Sequence, residues 1–229
     1  MRFGPTIREK ITRALCLVLF TASLGIATPP VASASADLVP GMKILIGRGE
    51  CSLGFFGSNG SNRLAVTAGH CSTALNQSVA DSAGNPIGEV VSRMDDVVNS
   101  SGSASGPRGY TVIYLYDGPS IDPFFTSVGL VAEGDSISKF GGRSGKTNGH
   151  VIKGTNRPAL LYSDIVQLPG DSGCPWYTSG PTLVAMASSG NQETAGGGGG
   201  SQAQPITNVV NLIRKNTGKW GSGFKVWTA

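Results

Sequence analysis

The sequence predicts a loop-rich all-β fold, either a barrel architecture or a sandwich. Glycine accounts for 34 of 229 residues, and because glycine weakens helices and supplies turns, a helical bundle is disfavoured. The hydrophobic share is 39% and the charged share is 14%, which is too apolar and too weakly charged for a disordered chain. Short apolar runs separated by Gly, Ser, Asn and Pro recur along the chain, as they do in barrels and sandwiches.

Residues 1–36 have the pattern of a secretory signal peptide. Four basic residues precede a mainly apolar run at 14–27, and small residues then alternate, so we expect cleavage after Ala34 or Ala36. The run is shorter than the roughly 20 residues of a membrane span, which disfavours the alternative of an anchor. Cys16 lies early in the run rather than at its end, which disfavours lipid attachment. The basic residues are Arg2, Arg8, Lys10 and Arg13.

The exported chain is nearly neutral. The whole sequence carries a net charge of +4, from 18 Lys and Arg against 14 Asp and Glu. Residues 1–36 hold four of the basic residues and one acidic residue, Glu9, so 14 basic and 13 acidic residues remain. Because no basic run is left, we expect no nucleic-acid partner. No second apolar stretch approaches spanning length, so we expect no membrane span after cleavage.

Nine short runs are predicted to be strands, each bounded by turn residues. They are residues 43–46, 52–56, 64–67, 87–92, 110–116, 136–140, 151–153, 160–167 and 183–187. Residues 99–109 are predicted to be a flexible loop, as are the five glycines at 196–200.

One stretch near the C-terminus is typical of an amphipathic helix. Ile206, Val209, Val210 and Ile213 recur at i, i+3, i+4 and i+7. Basic residues follow in the last turn, and Gly218 provides a stop signal. We expect this helix to pack on the β body.

Two distant motifs, TAGHC at 67–71 and PGDSGCP at 169–175, carry residue types used in nucleophilic catalysis. The second motif predicts a tight turn that presents the Ser172 hydroxyl, with glycines that let backbone N–H groups converge. The amides of Gly170 and Ser172 are therefore candidates for an oxyanion hole. A serine hydroxyl needs a base with a pKa near neutrality, for which His70 is the natural candidate. The other histidine, His150, has no motif around it and is interpreted as a surface residue.

TAGHC and PGDSG together resemble the trypsin/chymotrypsin-like serine proteases, and in particular their short secreted bacterial branch. The chain order agrees, with histidine first and serine last, and the similarity extends loosely over most of the mature chain. The resemblance implies two six-stranded antiparallel β-barrels with the site between them, and a short C-terminal helix. It divides the chain into a signal peptide at 1–36, an N-terminal barrel at 37–125, a C-terminal barrel at 126–205, and a helix and tail at 206–229.

The resemblance also implies residue roles. His70 would be the general base and Ser172 the nucleophile. Ser189 and Gly190 would hold the substrate backbone. Asp171 would form a buried ion pair, and its implied partner is Lys139. Cys51 would pair with Cys71 in a disulfide that braces the histidine loop.

Three departures from the family pattern stand out. Gly109 occupies the position of the family's catalytic aspartate, whose neutralisation lowers turnover roughly 10⁴-fold, although Asp95, Asp96 or Asp117 could substitute. Cys174 stands where the family has glycine, and as the third cysteine of the mature chain it is left over. The family's disulfide near the specificity pocket lacks both cysteines, at Val166 and around 192–193.

The predicted function is that of a secreted serine endopeptidase that hydrolyses peptide bonds through an acyl-enzyme, with activity reduced if no acid partners His70. The alternatives are a catalytically degenerate protein of the same fold that acts as a secreted binding module, and an unrelated structural β protein. With no acid near Val166, small or apolar substrate side chains are expected. No His/Cys cluster is present, so we expect no metal and no cofactor. The expected location is extracellular or in the cell envelope, with a protein or peptide as substrate.

Overall fold

The computed structural model describes residues 37–100, 106–152, 160–189, 200–216 and 218–229. The predicted signal peptide at 1–36, Gly190, positions 192–193 and most of the glycine run at 196–200 lie outside the described residues. So does the middle of the predicted loop at 99–109. Among the described residues, no helix is long and apolar enough to cross a membrane.

The described chain contains fifteen strands and one α-helix. The first seven strands are β1 Lys43–Ile46, β2 Gly49–Ser52, β3 Phe55–Asn59, β4 Asn62–Ala68, β5 Ser78–Asp81, β6 Pro86–Met94 and β7 Tyr110–Leu115. The next seven are β8 Ser127–Val128, β9 Ser136–Gly141, β10 Gly145–Ile152, β11 Leu161–Ser163, β12 Pro175–Thr178, β13 Thr182–Ser189 and β14 Ser201–Pro205. Helix α1 Ile206–Asn216 and strand β15 Lys225–Val226 complete the chain.

Eight strands form an antiparallel N-terminal sheet in the order β15-β3-β4-β7-β6-β5-β1-β2. Bulges interrupt the registers of β5 with β6 and of β6 with β7, and such bulges increase strand twist and bending. The core of this sheet includes the fully buried Ile44, Leu53, Phe56, Val90 and Ile113. The all-β class is confirmed, and this half is an open eight-stranded sheet where a closed six-stranded barrel was expected.

The C-terminal sheet closes into a barrel. Its order is β12-β9-β10-β11-β14-β13-β8, and β12 also pairs with β13. That additional pairing closes the six strands β9 to β14 on themselves, which is the six-stranded barrel that was expected. Strand β8 adds to β13 in parallel outside the closed ring.

Helix α1 lies over a core shared by the two sheets. Ile206, Val209 and Ile213 are fully buried, as the helical periodicity predicts, and they belong to one cluster with Phe55 of β3 and Leu183 of β13. Burial of such apolar side chains contributes about 1.5–3 kcal/mol each. This shared core fixes the ends of β4, β7 and β13, where the candidate site lies.

The predicted strands match best where apolar residues are frequent. Every predicted run overlaps an observed strand, but 52–56 divides between β2 and β3, and 160–167 retains only Leu161–Ser163. Five strands were not predicted, namely β5, β8, β12, β14 and β15. They are two to five residues long and several are rich in Ser, Gln or Pro, so no alternating pattern identifies them.

Candidate active site

His70 lies at the surface on a short 3₁₀ turn, Gly69–Cys71, directly after the buried strand β4. The last residues of β4 pair with Tyr110 and Thr111 of β7. A disulfide joins Cys51 to Cys71 with an S–S distance of 2.01 Å, so the turn is tied to β2. The His70 side chain remains 41% exposed on this fixed support.

Asp96 is the carboxylate that contacts His70. His70 Nδ1 lies 3.0 Å from Asp96 Oδ2, and the Asp96 side chain is only 12% exposed. The Gly109 amide donates to Asp96 Oδ1 at 2.8 Å, and Arg108 Nη1 donates to Oδ2 at 3.3 Å. Burial raises the pKa of Asp96. The hydrogen bond and charge of His70, the Gly109 amide and the Arg108 charge together lower this pKa by more than burial raises it, so the net shift is downward.

The strand register explains why Asp96 reaches the histidine. Met94 pairs with Tyr110 where β6 and β7 run antiparallel. Continuing that ladder two residues places Asp96 opposite Arg108, beside the end of β4 that carries His70. The acid therefore comes from the segment after β6 and not from position 109, directly before β7.

Gly109 is the position at which the resemblance led us to expect aspartate, and no side chain fits there. A Cβ atom built on Gly109 would lie 1.8 Å from Met94 O and 2.7 Å from the carbonyl carbon of Asp95. Because these are backbone atoms, no rotamer change can make room. Glycine is needed at this position for close approach of the two chain segments, and its amide serves Asp96.

The other two carboxylates considered as substitutes lie elsewhere. Asp95 is 74% exposed and pairs with Arg93. Asp117 is 97% exposed, 4.0 Å from Arg63. Of the three, only Asp96 is brought to His70.

The Ser172 turn packs against the strand end that precedes His70. A Cβ atom on Gly173 would lie 2.0 Å from Thr67 Oγ1 and 2.9 Å from Ala68 N, so only glycine allows this approach. Gly173 also has a φ of +88°, which disfavours other residues. Ser52 N donates to Ser172 O at 2.8 Å, and Cys71 Sγ lies 3.8 Å from the same oxygen. The serine and histidine segments are thus immediate neighbours.

The backbone of this turn has the form of an anion-binding concavity. Gly170 adopts a φ of +97°, and its carbonyl is held by Ser52 Oγ at 2.8 Å. Neither the Gly170 amide nor the Ser172 amide donates a hydrogen bond to another residue that the structure describes. Two unpaired N–H groups on either side of Asp171, one of them on the half-buried Ser172 itself, can receive a negatively charged oxygen if they point to the same place.

Asp171 and Lys139 form a fully buried pair beneath the turn. Lys139 Nζ lies 2.9 Å from Asp171 Oδ2, and both side chains are 0% exposed. Asp171 also accepts the amides of Arg143, Ser144 and Leu168 at 2.8–3.0 Å. Burial raises the pKa of Asp171, but hydrogen bonds from the Ser144 side chain, the Leu168 amide, Lys139 and the Ser144 amide lower this pKa overall. The pair fixes the turn from below.

Cys174 follows the turn as a buried free thiol. It packs in the barrel core with Trp176 and Ala187, and burial raises its pKa to about 12. The thiol is therefore neutral near physiological pH and behaves as a small apolar residue.

Ser189 ends β13 beside the same site. Its hydroxyl donates to Gln202 Oε1 at 3.0 Å and accepts from Arg108 Nη2 at 3.3 Å. Gln167 donates to Ser189 O at 2.8 Å and to Gln202 O at 3.3 Å, and it accepts from Trp176 Nε1. The buried Gln167 amide thus joins the segment next to Val166 to β13 and β14. Sequence reasoning missed Gln167 and Arg108.

The remaining histidine lies away from this site. His150 is 59% exposed, with Nδ1 3.8 Å from Asp164 Oδ2. Within the described ranges, no group of three or more His, Cys, Asp or Glu side chains is placed to hold a metal ion.

Comparison with known proteins identifies the fold. No family model matches the sequence. Streptogrisin-A from Streptomyces griseus is 29% identical over 183 residues, which cover 75% of this chain and 58% of that protein. The chain thus spans somewhat more than half the length of this curated relative.

Solved structures of bacterial proteases have a similar fold. Thermobifida fusca protease A matches with a TM-score of 0.63 and 23% identity, covering 85% of this chain and all of that one. A glutamic-acid-specific serine protease, described as using a histidine triad in substrate binding, matches with a TM-score of 0.61 and 21% identity over 83% of this chain and all of that one. Nocardiopsis protease matches with a TM-score of 0.60 and 20% identity over 84% of this chain and all of that one. The chain has the chymotrypsin-like serine protease fold, and its sequence is similar to that of streptogrisin-A.

Proposed function

We propose that this protein is a secreted serine endopeptidase in which His70, Ser172 and Asp96 form the catalytic triad. One observation carries the proposal: His70 Nδ1 lies 3.0 Å from a largely buried carboxylate, on the strand end against which the Ser172 turn packs. This combination supplies a base, a group that orients the base, and a neighbouring nucleophile.

The chemistry follows from the two ring nitrogens of His70. With Nδ1–H donated to Asp96, Nε2 is left as the acceptor for the Ser172 proton. Ser172 Oγ then attacks the substrate carbonyl carbon while His70 takes the proton. His70 returns this proton to the leaving amine, and water hydrolyses the acyl-enzyme by the same steps.

The Gly170 and Ser172 amides are the proposed oxyanion hole. Their N–H groups have no other partner among the described residues, so they are free for the charge that develops on the carbonyl oxygen. Donors of this kind are worth about 2.7–4 kcal/mol each in the transition state. The buried ion pair between Asp171 and Lys139, whose ammonium group is the cation, holds the turn in this geometry.

The proposed substrate is a protein or peptide with a small or apolar side chain at the cleaved bond, and the binding residues are Ser189 and Gly190. The expected base of the pocket falls near Val166, an apolar residue that is exposed, and an apolar residue at that position disfavours basic substrate side chains. The chain has two histidines, of which the His70 ring contacts Asp96 at 3.0 Å and the His150 ring lies 3.8 Å from Asp164. A histidine triad for glutamate therefore cannot form, which disfavours glutamate selectivity.

The proposed location is extracellular or in the cell envelope. The Cys51–Cys71 disulfide suits an oxidising compartment, in line with the expected signal peptide.

A fluorophosphonate probe tests this function. We expect the mature protein to be labelled at Ser172, and Ser172→Ala and His70→Ala to abolish labelling. Ser61→Ala, at an exposed serine in the turn between β3 and β4, is the folded control and should be labelled like the parent. Folded parent protein that is not labelled would reject the endopeptidase and favour the degenerate binding module. That alternative was motivated by a missing acid, and Asp96 beside His70 removes its main support.

A further inference from the structure

Arg108 is a largely buried arginine that spans the two halves of the candidate site. Its side chain is 12% exposed. Nη1 lies 3.3 Å from Asp96 Oδ2, and Nη2 lies 3.3 Å from Ser189 Oγ. Asp96 follows a strand of the N-terminal sheet, whereas Ser189 ends a strand of the C-terminal barrel. The two arms of one guanidinium fork therefore join the acid beside His70 to the proposed substrate-binding strand.

The oxygen that Arg108 contacts is the one that His70 uses. Asp96 Oδ2 receives both His70 Nδ1 and Arg108 Nη1, while Oδ1 receives the Gly109 amide. Because the acceptor is an ionised carboxylate, each of these hydrogen bonds is charge-assisted. The carboxylate is thus held from three sides and cannot rotate without losing one of them.

Packing alone does not account for an arginine here. Arg108 Nε is buried and has no hydrogen-bond partner within the described part of the chain. Burial of an unsatisfied donor costs about 1–3 kcal/mol, which a methionine or leucine of similar volume would avoid. The arginine supplies a positive charge beside the Asp96 carboxylate and a hydrogen bond to Ser189.

We propose that Arg108 is a positioning residue that locks the Asp96 carboxylate against His70 and links this pair to Ser189. Its catalytic consequence rests on the proposed function, but its effect on the His70–Asp96 pair does not. Because the guanidinium shares Oδ2 with the imidazole, it opposes positive charge on the ring. The other charged groups at this end of the sheet, Asp95 and Arg93, bond each other.

The histidine content of the chain permits a direct test by NMR. With only two histidines, the ring nitrogens of His70 and His150 can be followed separately as the pH is changed. In Arg108→Met, His70 is left as the only cation facing Asp96, so its titration midpoint should rise by about one pH unit. The exposed His150 should titrate as in the parent. Arg108→Lys keeps the positive charge, so its midpoint should lie closer to that of the parent, with at least half of the Arg108→Met rise absent.

Arg93→Met is the matched control, because Arg93 lies at the same end of the sheet but bonds Ser72 and Asp95 instead of Asp96. It should leave the His70 midpoint within about 0.3 pH units of the parent, because the Arg93 charge is paired with the exposed Asp95 and does not contact Asp96. If Arg108→Met does not fold, Arg108→Gln removes the charge while keeping hydrogen-bond donors, and the same rise is expected.

The outcomes separate this inference from the proposed function. A parent protein that no fluorophosphonate labels would reject the function, and the NMR titration would still decide the role of Arg108. In an active parent, the acid limb of the pH–rate profile should move upward together with the His70 titration in Arg108→Met. A midpoint that is unchanged or lower in folded Arg108→Met or Arg108→Gln would overturn the inference.

Discussion

Replacing Gly109 by aspartate restores the family pattern, but the structure predicts that it damages the protein. A Cβ atom at position 109 would lie 1.8 Å from Met94 O, a backbone atom fixed by the pairing of β6 with β7. The two chain segments must therefore move apart. Forcing extra atoms into a packed site costs about 1–3 kcal/mol.

That movement also withdraws the Gly109 amide from Asp96 Oδ1, where it now donates at 2.8 Å. A hydrogen bond to a charged group contributes about 1.5–3 kcal/mol. The new carboxylate would in addition stand close to that of Asp96, and like charges repel. We expect Gly109→Asp to lose roughly 3–6 kcal/mol of unfolding free energy and to be labelled more slowly at Ser172.

Urea unfolding and the rate of fluorophosphonate labelling measure these effects. Gly109→Ala is the matched control, because it introduces the same Cβ without the charge and should account for most of the destabilisation. A Gly109→Asp variant that is as stable as the parent and hydrolyses peptides faster would refute this reasoning. It would mean that position 109 accepts a side chain and that Asp96 is not the acid that serves His70.

Three further changes have defined outcomes. Asp96→Asn should lower kcat by roughly 10³–10⁴-fold because the histidine loses the acid that sets its tautomer, and a loss under tenfold with the fold intact would contradict the assignment. Lys139→Met leaves the buried Asp171 charge without its cation and should cost about 3–5 kcal/mol in urea unfolding, and a loss below 1 kcal/mol would argue against a structural pair. The pKa of Asp171 is lowered on folding from 3.8, so its contribution to stability is present above about pH 4 and is lost as the pH falls through the folded pKa. The urea midpoint should therefore drop less between pH 6 and pH 3 in Asp171→Asn than in the parent.

Much of the fold follows from local sequence. Strands β4, β6, β7 and β13 carry Val, Leu and Ile at positions that reach the cores, and glycine-rich turns separate them, so they were predicted. Strand β14, SQAQP, was not, because its place in the barrel depends on pairing with β11 and β13 and not on its own pattern. Closure of the C-terminal sheet depends on the long-range pairing of β12 with β9, because β12 and β13 already pair as neighbours in sequence, and no local signal reports that long-range pairing.

The candidate site divides in the same way. His70 and Ser172 were found because each lies in a short motif, and Lys139 followed from the resemblance. Asp96 was one of three acidic residues that the sequence could not separate, since the choice depends on the register of β6 with β7.

Arg108 gave no signal of its own. In the sequence it is a lone cation within the predicted flexible loop at 99–109, and its contacts come from Asp96 and Ser189, 12 and 81 residues away. Had the β6–β7 register been known, placing residue 108 opposite residue 96 would have identified it.

The last strand has a consequence for how the two sheets are joined. After β7 the chain passes to the C-terminal barrel, and β15 then returns to pair with β3 of the N-terminal sheet. Trp227 N donates to Phe56 O, and Ala229 N donates to Phe125 O in the first crossing. The halves are therefore joined by two covalent crossings, so a peptidase that cuts one crossing leaves them connected through the other.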